Sequence, residues 1–305
     1  MDRAEAIAVF VEVAERRSFV AAARRLRRSP AAVTRVIGDL EARLGVRLLN
    51  RTTRAVSLTE AGDRFLAGAR RVLADLEEIE RAAAGAGTAP RGELRLTAPI
   101  LFGRLHVLPI VTEFLGQFPD VSVTLSLLDR PVDLIEEGLD IAVRIGALAE
   151  SSAVATRVGA VRRIVVASPD YVARRGAPKL PADLGMHAVV AFSGIAGVEH
   201  WMFRNETGEG SASIKPRLVV TTAEAALDAV RAGFGVTRVL SYQAADDIAR
   251  GSLLRLLAAY EGEDLPIHLL YPGGRHPPPK LRAFVDFVRP RLRRRCEAVV
   301  RAIRS

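Results

Sequence analysis

Hydrophobic residues in the first part of the chain repeat at helical spacing and predict three helices. Apolar side chains recur every three or four positions over residues 3–16, 19–26 and 30–44. Ser29 is a suitable N-cap for the third helix, because its hydroxyl can accept a hydrogen bond from an unpaired amide of the first turn. Pro30 suits the next position, where its missing N–H costs nothing. Helix, short helix, tight turn and helix in this order predict a helix-turn-helix.

Two short alternating runs follow the third helix and predict a β-hairpin. Gly45 is placed to end that helix in the left-handed conformation. The runs lie within residues 46–58 and meet at a polar, basic tip, which is typical of the wing of a winged helix-turn-helix. Because such a motif puts the start of its last helix into the major groove, the pattern favours DNA binding. An ordinary three-helix bundle with a solvated arginine face is the alternative.

Candidate DNA contacts lie at the start of the third helix and on the wing. Arg35 can donate two parallel hydrogen bonds to a guanine edge or hold a phosphate as an ion pair, and Thr34 can donate to a phosphate or a base. Arg51 suits a phosphate, and Arg54 suits the narrow minor groove of an A·T-rich segment. The predicted DNA-binding residues are Ser29, Pro30, Ala31, Thr34, Arg35, Arg51, Thr53 and Arg54.

A long one-sided helix is predicted next. Residues 60–84 keep apolar residues at a heptad-like spacing with no internal proline. Such a helix is typical of pairing with a second copy of the chain, and packing on its own domain is the alternative. Two recognition helices on a two-fold axis would read a pseudo-palindromic operator in double-stranded DNA. Residues 85–92 are small and predict a flexible linker.

From residue 93 onward strands alternate with helices, which predicts an α/β domain with a mostly parallel sheet. The predicted strands are 93–97, 121–127, 139–144, 163–167, 188–193, 217–222 and 266–271. The predicted helices are 104–118, 131–138, 169–175, 223–233, 241–249 and 279–288. Ligands of open α/β sheets bind outside the carboxyl ends of the strands. Those ends carry hydroxyls, free amides and arginines here, which is chemistry for a small anionic ligand.

Length and composition limit the class of protein. The chain has 305 residues, which corresponds to about two domains, and 49% of them are hydrophobic. No apolar run approaches the roughly 18–20 residues of a membrane helix, and the charged start predicts no secretory signal. A single cysteine, Cys296, fits a reducing cytosol. We therefore expect a cytoplasmic protein without a membrane partner.

The net charge of +9 is concentrated at the two ends of the chain. Residues 1–59 carry +6 and residues 289–305 carry another +6, so residues 60–288 carry −3. This distribution argues for a polyanionic partner at an end of the molecule. The basic tail could add phosphate contacts, and a solvated basic helix end is the alternative.

Residues 1–62 resemble the N-terminal domain of LysR-type transcriptional regulators. The matching stretches are Ser18-Phe19 with the alanines that follow, 29–35, 40–51 and 57–62. One departure is Val36, where the family often has Gln. The resemblance continues through 90–99, 118–121, 134–146 and 283–287, and so covers about residues 1–290.

The resemblance implies an N-terminal winged helix-turn-helix plus a long dimerisation helix, then a two-lobed type 2 periplasmic-binding-protein-like α/β domain. The expected units are 1–59 for DNA binding, 60–84 for dimerisation, 85–92 as linker, 93–290 for effector binding and 291–305 as a basic tail. Lobe I would comprise 91–163 and 268–290, and lobe II 164–267. Carried over by position, the effector-binding residues are Thr97, Ala98, Pro99, Ile100, Arg144, Ser193, Thr222 and Gly235. A proline that is common after the Gly233–Gly235 turn in the family is absent here.

The combined prediction is a sequence-specific transcriptional regulator that responds to a small anionic effector between the two lobes. Its expected partners are double-stranded DNA, the effector and further copies of itself as dimer or tetramer, with RNA polymerase as another candidate. Two alternatives are an architectural DNA-binding protein without effector response and an enzyme or solute binder of the binding-protein fold. The sequence carries no nucleotide-binding loop, nucleophile elbow or zinc motif. We therefore expect no cofactor, no metal and no enzymatic activity.

Overall fold

The structure is a computed structural model that describes residues 2–51, 56–83, 89–148, 153–192, 200–205, 208–273 and 277–303. The helices are α1 (Arg3–Arg16), α2 (Phe19–Arg25), α3 (Pro30–Leu44), α4 (Glu60–Ala83), α5 (Ile100–Phe102), α6 (Leu108–Gln117), α7 (Pro169–Arg175), α8 (Ala223–Arg231), α9 (Ser241–Ala249) and α10 (Pro279–Ala302). The strands are β1 (Leu49–Arg51), β2 (Val56–Leu58), β3 (Gly92–Ala98), β4 (Val121–Leu127), β5 (Ile141–Ile145), β6 (Ala153–Val161), β7 (Arg163–Ala167), β8 (Val189–Phe192), β9 (His200–Asn205), β10 (Gly208–Ser213), β11 (Pro216–Val220), β12 (Val236–Leu240), β13 (Leu254–Leu256) and β14 (Leu265–Pro272).

The first three helices form a small bundle with the β1–β2 hairpin beside it. Phe10 of α1 and Ile37 of α3 are fully buried in its core, and the small side chains of Ala22 and Ala23 allow α2 to approach its neighbours closely. The third helix ends at Gly45, whose φ of 68° is the left-handed conformation that the sequence predicts. The winged helix-turn-helix is confirmed.

The long helix α4 is used in two ways along its length. Its first part belongs to the core of the N-terminal domain, because Leu66 and Ala69 are buried and the ring of Phe65 lies edge-on to Phe10. Farther along, Val72 is 51% exposed and Leu76 is 36% exposed. The apolar stripe therefore continues beyond the domain that it begins in.

The strands of the rest of the chain form two five-stranded sheets and the separate β9–β10 pair, and the two-lobed α/β fold is confirmed. The sheet of lobe I has the order β4-β3-β5-β14-β6, and the sheet of lobe II has the order β11-β8-β12-β7-β13. In each sheet three strands are parallel and the other two are antiparallel to their neighbours. The chain passes between the sheets twice, between β6 and β7 and between β13 and β14.

The end of the chain differs from the prediction of a basic tail at 291–305. α10 continues to Ala302, and its inner face buries Leu292, Cys296 and Val299 against the two lobes. Pro290 lies inside this helix on the exposed side. The hydrogen bond that a proline cannot donate is therefore lost where water can replace it, which explains why the helix continues. No helix of the described residues is long and apolar enough to span a membrane.

Two predicted helices of lobe I are also corrected. Residues 134–138 form a hydrogen-bonded turn, because the Asp133 carboxylate accepts from the amides of Ile135 and Glu136 and the amide of Leu139 closes on the carbonyl of Leu134. The helix predicted at 104–118 begins earlier, at α5, and passes through a π-helical turn at Gly103–Val107 before α6.

Candidate DNA-binding surface and ligand cleft

The start of α3 presents the predicted recognition residues to solvent. Ser29 caps the helix, its hydroxyl accepting from the amide of Ala32 at 3.1 Å. The hydroxyl of Thr34 donates to the carbonyl of Pro30 at 2.9 Å, which leaves its oxygen free to accept. Ser29, Pro30, Ala31, Thr34 and Arg35 are all exposed. The structure therefore brings these five predicted residues together on one surface.

The charge of the N-terminal domain favours binding to a polyanion. Arg35 has no ion-pair partner among the described residues, and two other arginines of the bundle, Arg16 and Arg28, pair with Glu12 and Glu5. The exposed arginines of α2, α3 and their connecting segments are Arg24, Arg25, Arg27, Arg35, Arg43 and Arg47. Val36, where the family often has Gln, is only 6% exposed and packs in the bundle, so it makes no polar contact with DNA.

The wing is held at its base by a side chain of α3 and by Thr59, the residue before α4. One carboxylate oxygen of Glu41 on α3 accepts from the amides of Leu48 at 2.9 Å and Leu49 at 3.0 Å. On the other side, the hydroxyl of Thr59 donates to the carbonyl of Arg47 at 2.8 Å. Arg51 is the last residue of β1. Of the remaining predicted wing contacts, Thr53 and Arg54 lie outside the described residues.

A cavity of about 620 Å³ lies between the two lobes. Its walls come from the ends of strands and from the segments that follow them in both sheets. Four of the predicted effector-binding residues line it, namely Pro99, Ile100, Arg144 and Thr222. Ser193 lies outside the described residues.

Three other predicted effector-binding residues, Thr97, Ala98 and Gly235, are buried and are not among the residues that line the cavity. Thr97 is 1% exposed, and its hydroxyl accepts from a terminal nitrogen of Arg144 at 3.4 Å. Ala98 is fully buried in the sheet. At Gly235, a Cβ atom would lie 2.0 Å from the carbonyl oxygen of Ala188, so glycine is needed for close packing. Thr97, Ala98 and Gly235 are therefore not exposed on the surface of this cavity, and their contact with an effector stays a prediction.

Four of the charged side chains that line the cavity have an ion-pair partner or accept a hydrogen bond from a backbone amide. Arg130 makes two hydrogen bonds with the carboxylate of Glu137, at 2.6 and 3.0 Å, and this pairing raises the pKa of Arg130. The carboxylate of Asp129 accepts from the amide of Ile100 at 3.0 Å. Asp133 caps the turn described above, and Glu224 of lobe II lies 3.9 Å from Arg104 of lobe I.

Two arginines in the cavity have no carboxylate partner among the described residues. Arg144 of lobe I donates only to neutral oxygens, those of Val143 and Thr97, and burial lowers its pKa. The Arg163 side chain of lobe II lines the same cavity and makes none of the hydrogen bonds or ion pairs found for the described side chains. The cleft therefore offers two cations, one from each lobe, to a ligand.

Sequence reasoning missed Arg163 because it stands at the beginning of a strand. β7 runs antiparallel to β12, with Arg163 opposite Leu240. The start of β7 therefore lies at the same sheet edge as the carboxyl ends of the parallel strands, where ligands bind. Tyr242 was missed because β12, which precedes it, was not predicted.

Aromatic rings join the lobes at the cavity. Tyr242 lines it from lobe II, and its ring centroid lies 5.2 Å from that of Phe102 and 5.6 Å from that of His106, both of lobe I. Burial raises the pKa of Tyr242 and lowers that of His106 to about 4. At neutral pH this contact between the lobes is therefore uncharged. Among the described residues, no group of His, Cys, Asp and Glu could hold a metal ion.

Family models match both halves of the chain. Residues 4–63 match the bacterial regulatory helix-turn-helix protein of the lysR family, and residues 87–293 match the LysR substrate binding domain. The chain is 36% identical over 288 residues to an HTH-type transcriptional regulator of Xanthomonas campestris pv. campestris, covering 93% of this chain and 84% of that protein. It is 33% identical to the uncharacterized HTH-type transcriptional regulator YhjC of Escherichia coli, and the match covers 94% of this chain and 97% of that protein.

Solved structures show the same arrangement. CrgA, a LysR-type transcriptional regulator from Neisseria meningitidis, is 30% identical with a TM-score of 0.61, and the match covers 96% of this chain and 99% of that one. The virulence activator AphB of Vibrio cholerae is 27% identical with a TM-score of 0.59, and the match covers 94% of this chain and 98% of that one. Together with the winged helix-turn-helix that exposes Arg35 and the two-lobed domain, these matches establish the family. The chain belongs to the LysR-type transcriptional regulators, which bind DNA.

Proposed function

We propose that this regulator changes its DNA binding when a small organic anion occupies the cavity between its lobes. The observation that carries the proposal is the pair of arginines without carboxylate partners, Arg144 and Arg163, which face one cavity from different lobes. An anion held by both would stabilise the closed arrangement of the lobes, because it binds that arrangement better than an open one. Apolar residues of the same wall, such as Ile100, Phe192 and Leu240, suit a ligand with a hydrophobic body.

The DNA contacts proposed for this chain are the exposed residues at the start of α3, with Arg35 as base or phosphate contact, and the wing residues Arg51, Thr53 and Arg54. The exposed part of the apolar stripe on α4, at Val72 and Leu76, supports pairing of two chains. A dimer places two recognition helices on a pseudo-palindromic operator.

A panel of small carboxylates and phosphate esters tests the ligand class. Each is added to the full-length protein, and the melting temperature is followed, since a ligand that binds the folded state raises it. We expect some members to stabilise the wild type and to change its affinity for the DNA upstream of its own gene. Arg144→Ala and Arg163→Ala should remove the stabilisation, whereas Arg175→Ala, an exposed arginine of α7, should keep it.

Two results would contradict the proposal. If Arg144→Ala responds to anions as the wild type does, the cavity is not their site. If anions bind the cavity and leave DNA affinity unchanged, the protein is a DNA-binding protein without effector response, which is the architectural alternative.

A further inference from the structure

The segment that starts the wing, residues 47–49, has few strand partners of its own. Pairing of β1 with β2 begins at Leu49, which lies opposite Leu58. Leu48 precedes the ladder and is 1% exposed, so its amide can reach neither a strand partner nor bulk water. A buried amide without a partner costs free energy comparable to a lost hydrogen bond.

Glu41 supplies that partner from the recognition helix. A single carboxylate oxygen accepts from the amides of Leu48 at 2.9 Å and Leu49 at 3.0 Å. Hydrogen bonds to an ionised acceptor are stronger than those between neutral groups. The carboxylate therefore joins α3 directly to the first strand of the wing.

Thr59, which precedes α4, and Gly62, in its first turn, contact the same segment. The amide of Thr59 donates to the carbonyl of Leu48 at 3.0 Å, and the Thr59 hydroxyl accepts from the amide of Gly62 at 2.9 Å. A Cβ atom at Gly62 would lie 2.0 Å from the carbonyl oxygen of Leu48, so only glycine permits this approach. The base of the wing is thus fixed between the recognition helix and the helix proposed to pair two chains.

We propose that Glu41 is a positioning residue for DNA binding, which fixes the wing relative to the recognition helix. The inference rests on the proposed DNA contacts of Arg35 and Arg51. Arg35 lies six positions before Glu41 on α3, and Arg51 lies two positions after Leu49 on β1. Glu41 would thereby fix the distance between the backbone positions of Arg35 and Arg51 before DNA binds. The complex then loses less conformational freedom on binding, because the base of the wing at residues 47–49 is already fixed.

Charge alone predicts the opposite effect, which makes the inference testable. Glu41 is an acid in a domain of positive charge, so its removal should strengthen attraction to phosphates. Positioning instead predicts that its removal weakens binding. Glu12, an acid of α1 that pairs with Arg16, is the matched control for loss of charge.

The experiment measures binding of the full-length protein to a labelled fragment from upstream of its own gene, by fluorescence anisotropy over a range of salt concentrations. We expect Glu41→Ala to weaken binding about tenfold, and Arg51→Ala to do the same with a salt slope smaller by about 1 for each bound chain. Glu41→Gln should stay close to wild type, because its amide oxygen can accept the same two hydrogen bonds. Glu12→Ala should bind equally well or more tightly.

The double variant Glu41→Ala/Arg51→Ala separates positioning from general destabilisation. If Glu41 acts through the wing, the double variant loses little more than Arg51→Ala alone, whereas independent effects add. Melting temperatures identify any unfolded variant, and the rescue by Gln remains informative if Ala is destabilised.

Several outcomes would overturn the inference. Positioning through the two hydrogen bonds is rejected if the losses of DNA affinity in the double variant are additive, or if Glu41→Ala binds DNA as the wild type does. It is also rejected if Glu41→Gln and Glu41→Ala lose equal affinity. A loss in Arg51→Ala with none in Glu41→Ala keeps the proposed DNA contact and rejects only the role of Glu41. A loss in Glu41→Ala with none in Arg51→Ala rejects both the contact of Arg51 and action through it.

Discussion

Arg35 is the side chain that we propose as the main determinant of sequence-specific recognition in this chain. It is exposed at the start of α3, beside Thr34, and no carboxylate among the described residues competes for its guanidinium. A guanidinium in this position can donate to two acceptors on a guanine edge. Its contribution can therefore be separated from that of the arginines that act only through charge.

Replacement of Arg35 by Ala should weaken binding to the operator by about 1–3 kcal/mol, with relaxed specificity at one base position. Binding to the upstream fragment and to single-base variants of it measures both effects. Arg43→Ala, an exposed arginine near the end of the same helix, is the control for loss of charge. A uniform loss over all sequences would instead identify Arg35 as a phosphate contact.

Residues of the ligand cleft could be predicted only in part, for a reason visible at Arg163 and Thr97. The rule that ligands meet the carboxyl ends of strands identifies Ile100, Arg144 and Thr222 correctly as lining residues. It overlooks Arg163, because the direction of β7 depends on pairing with β12, which is a property of the folded sheet. The same rule also selects Thr97, because the sequence does not show which residues at the end of a strand are buried in the sheet.

Elements with local boundary signals were predicted almost to the residue. The three helices of the DNA-binding domain differ from the prediction by one residue at most. Ser29 caps α3 as expected, and Ser18 caps α2 in the same way. β12 was missed because its residues are buried on both faces, which removes the alternation that identifies a strand. β10 consists of small and polar residues and pairs only with β9. Its existence depends on that partner and not on its own pattern.

The helix α10 shows how charge can hide a structural role. Seven arginines after residue 288 suggest a solvated tail, yet an apolar stripe with helical spacing continues through Leu292, Cys296, Val299 and Ile303. Its two ends are tied to different lobes, because Lys280 donates to the carbonyl of Glu93 in lobe I and Arg255 of lobe II donates to the carbonyl of Ile303.

Leu292→Ala should therefore destabilise the protein by about 2–5 kcal/mol, as expected for a fully buried leucine whose removal leaves a cavity. Urea unfolding followed by circular dichroism measures the change. Arg293→Ala, its exposed neighbour on the helix, should change the free energy of unfolding by less than about 0.5 kcal/mol. Equal stability of Leu292→Ala and wild type would show that the end of α10 is not packed in solution.

At the scale of the whole molecule, the exposed apolar residues of α4 predict assembly. Leu76→Glu should shift the protein toward monomers, because it places a charge in the proposed contact between two copies. The salt slope of DNA binding should fall by about half, since each complex would then neutralise about half as many phosphates. Light scattering after size exclusion and salt titrations measure these effects. Glu80→Gln, at an exposed position of the same helix, should retain the wild-type assembly. An unchanged mass for Leu76→Glu would place the interface elsewhere.

The order in which the sheets are completed also has a consequence for synthesis. Lobe II draws all five strands of its sheet from one stretch, β7 to β13, whereas lobe I needs β14, which inserts between β5 and β6. During translation, lobe II can therefore fold while lobe I, which began to emerge earlier, is still incomplete. Until β14 arrives, β5 exposes an unpaired edge and β6 has no strand partner, and surfaces of this kind promote aggregation. The nascent chain is thus most vulnerable after its DNA-binding domain is already made.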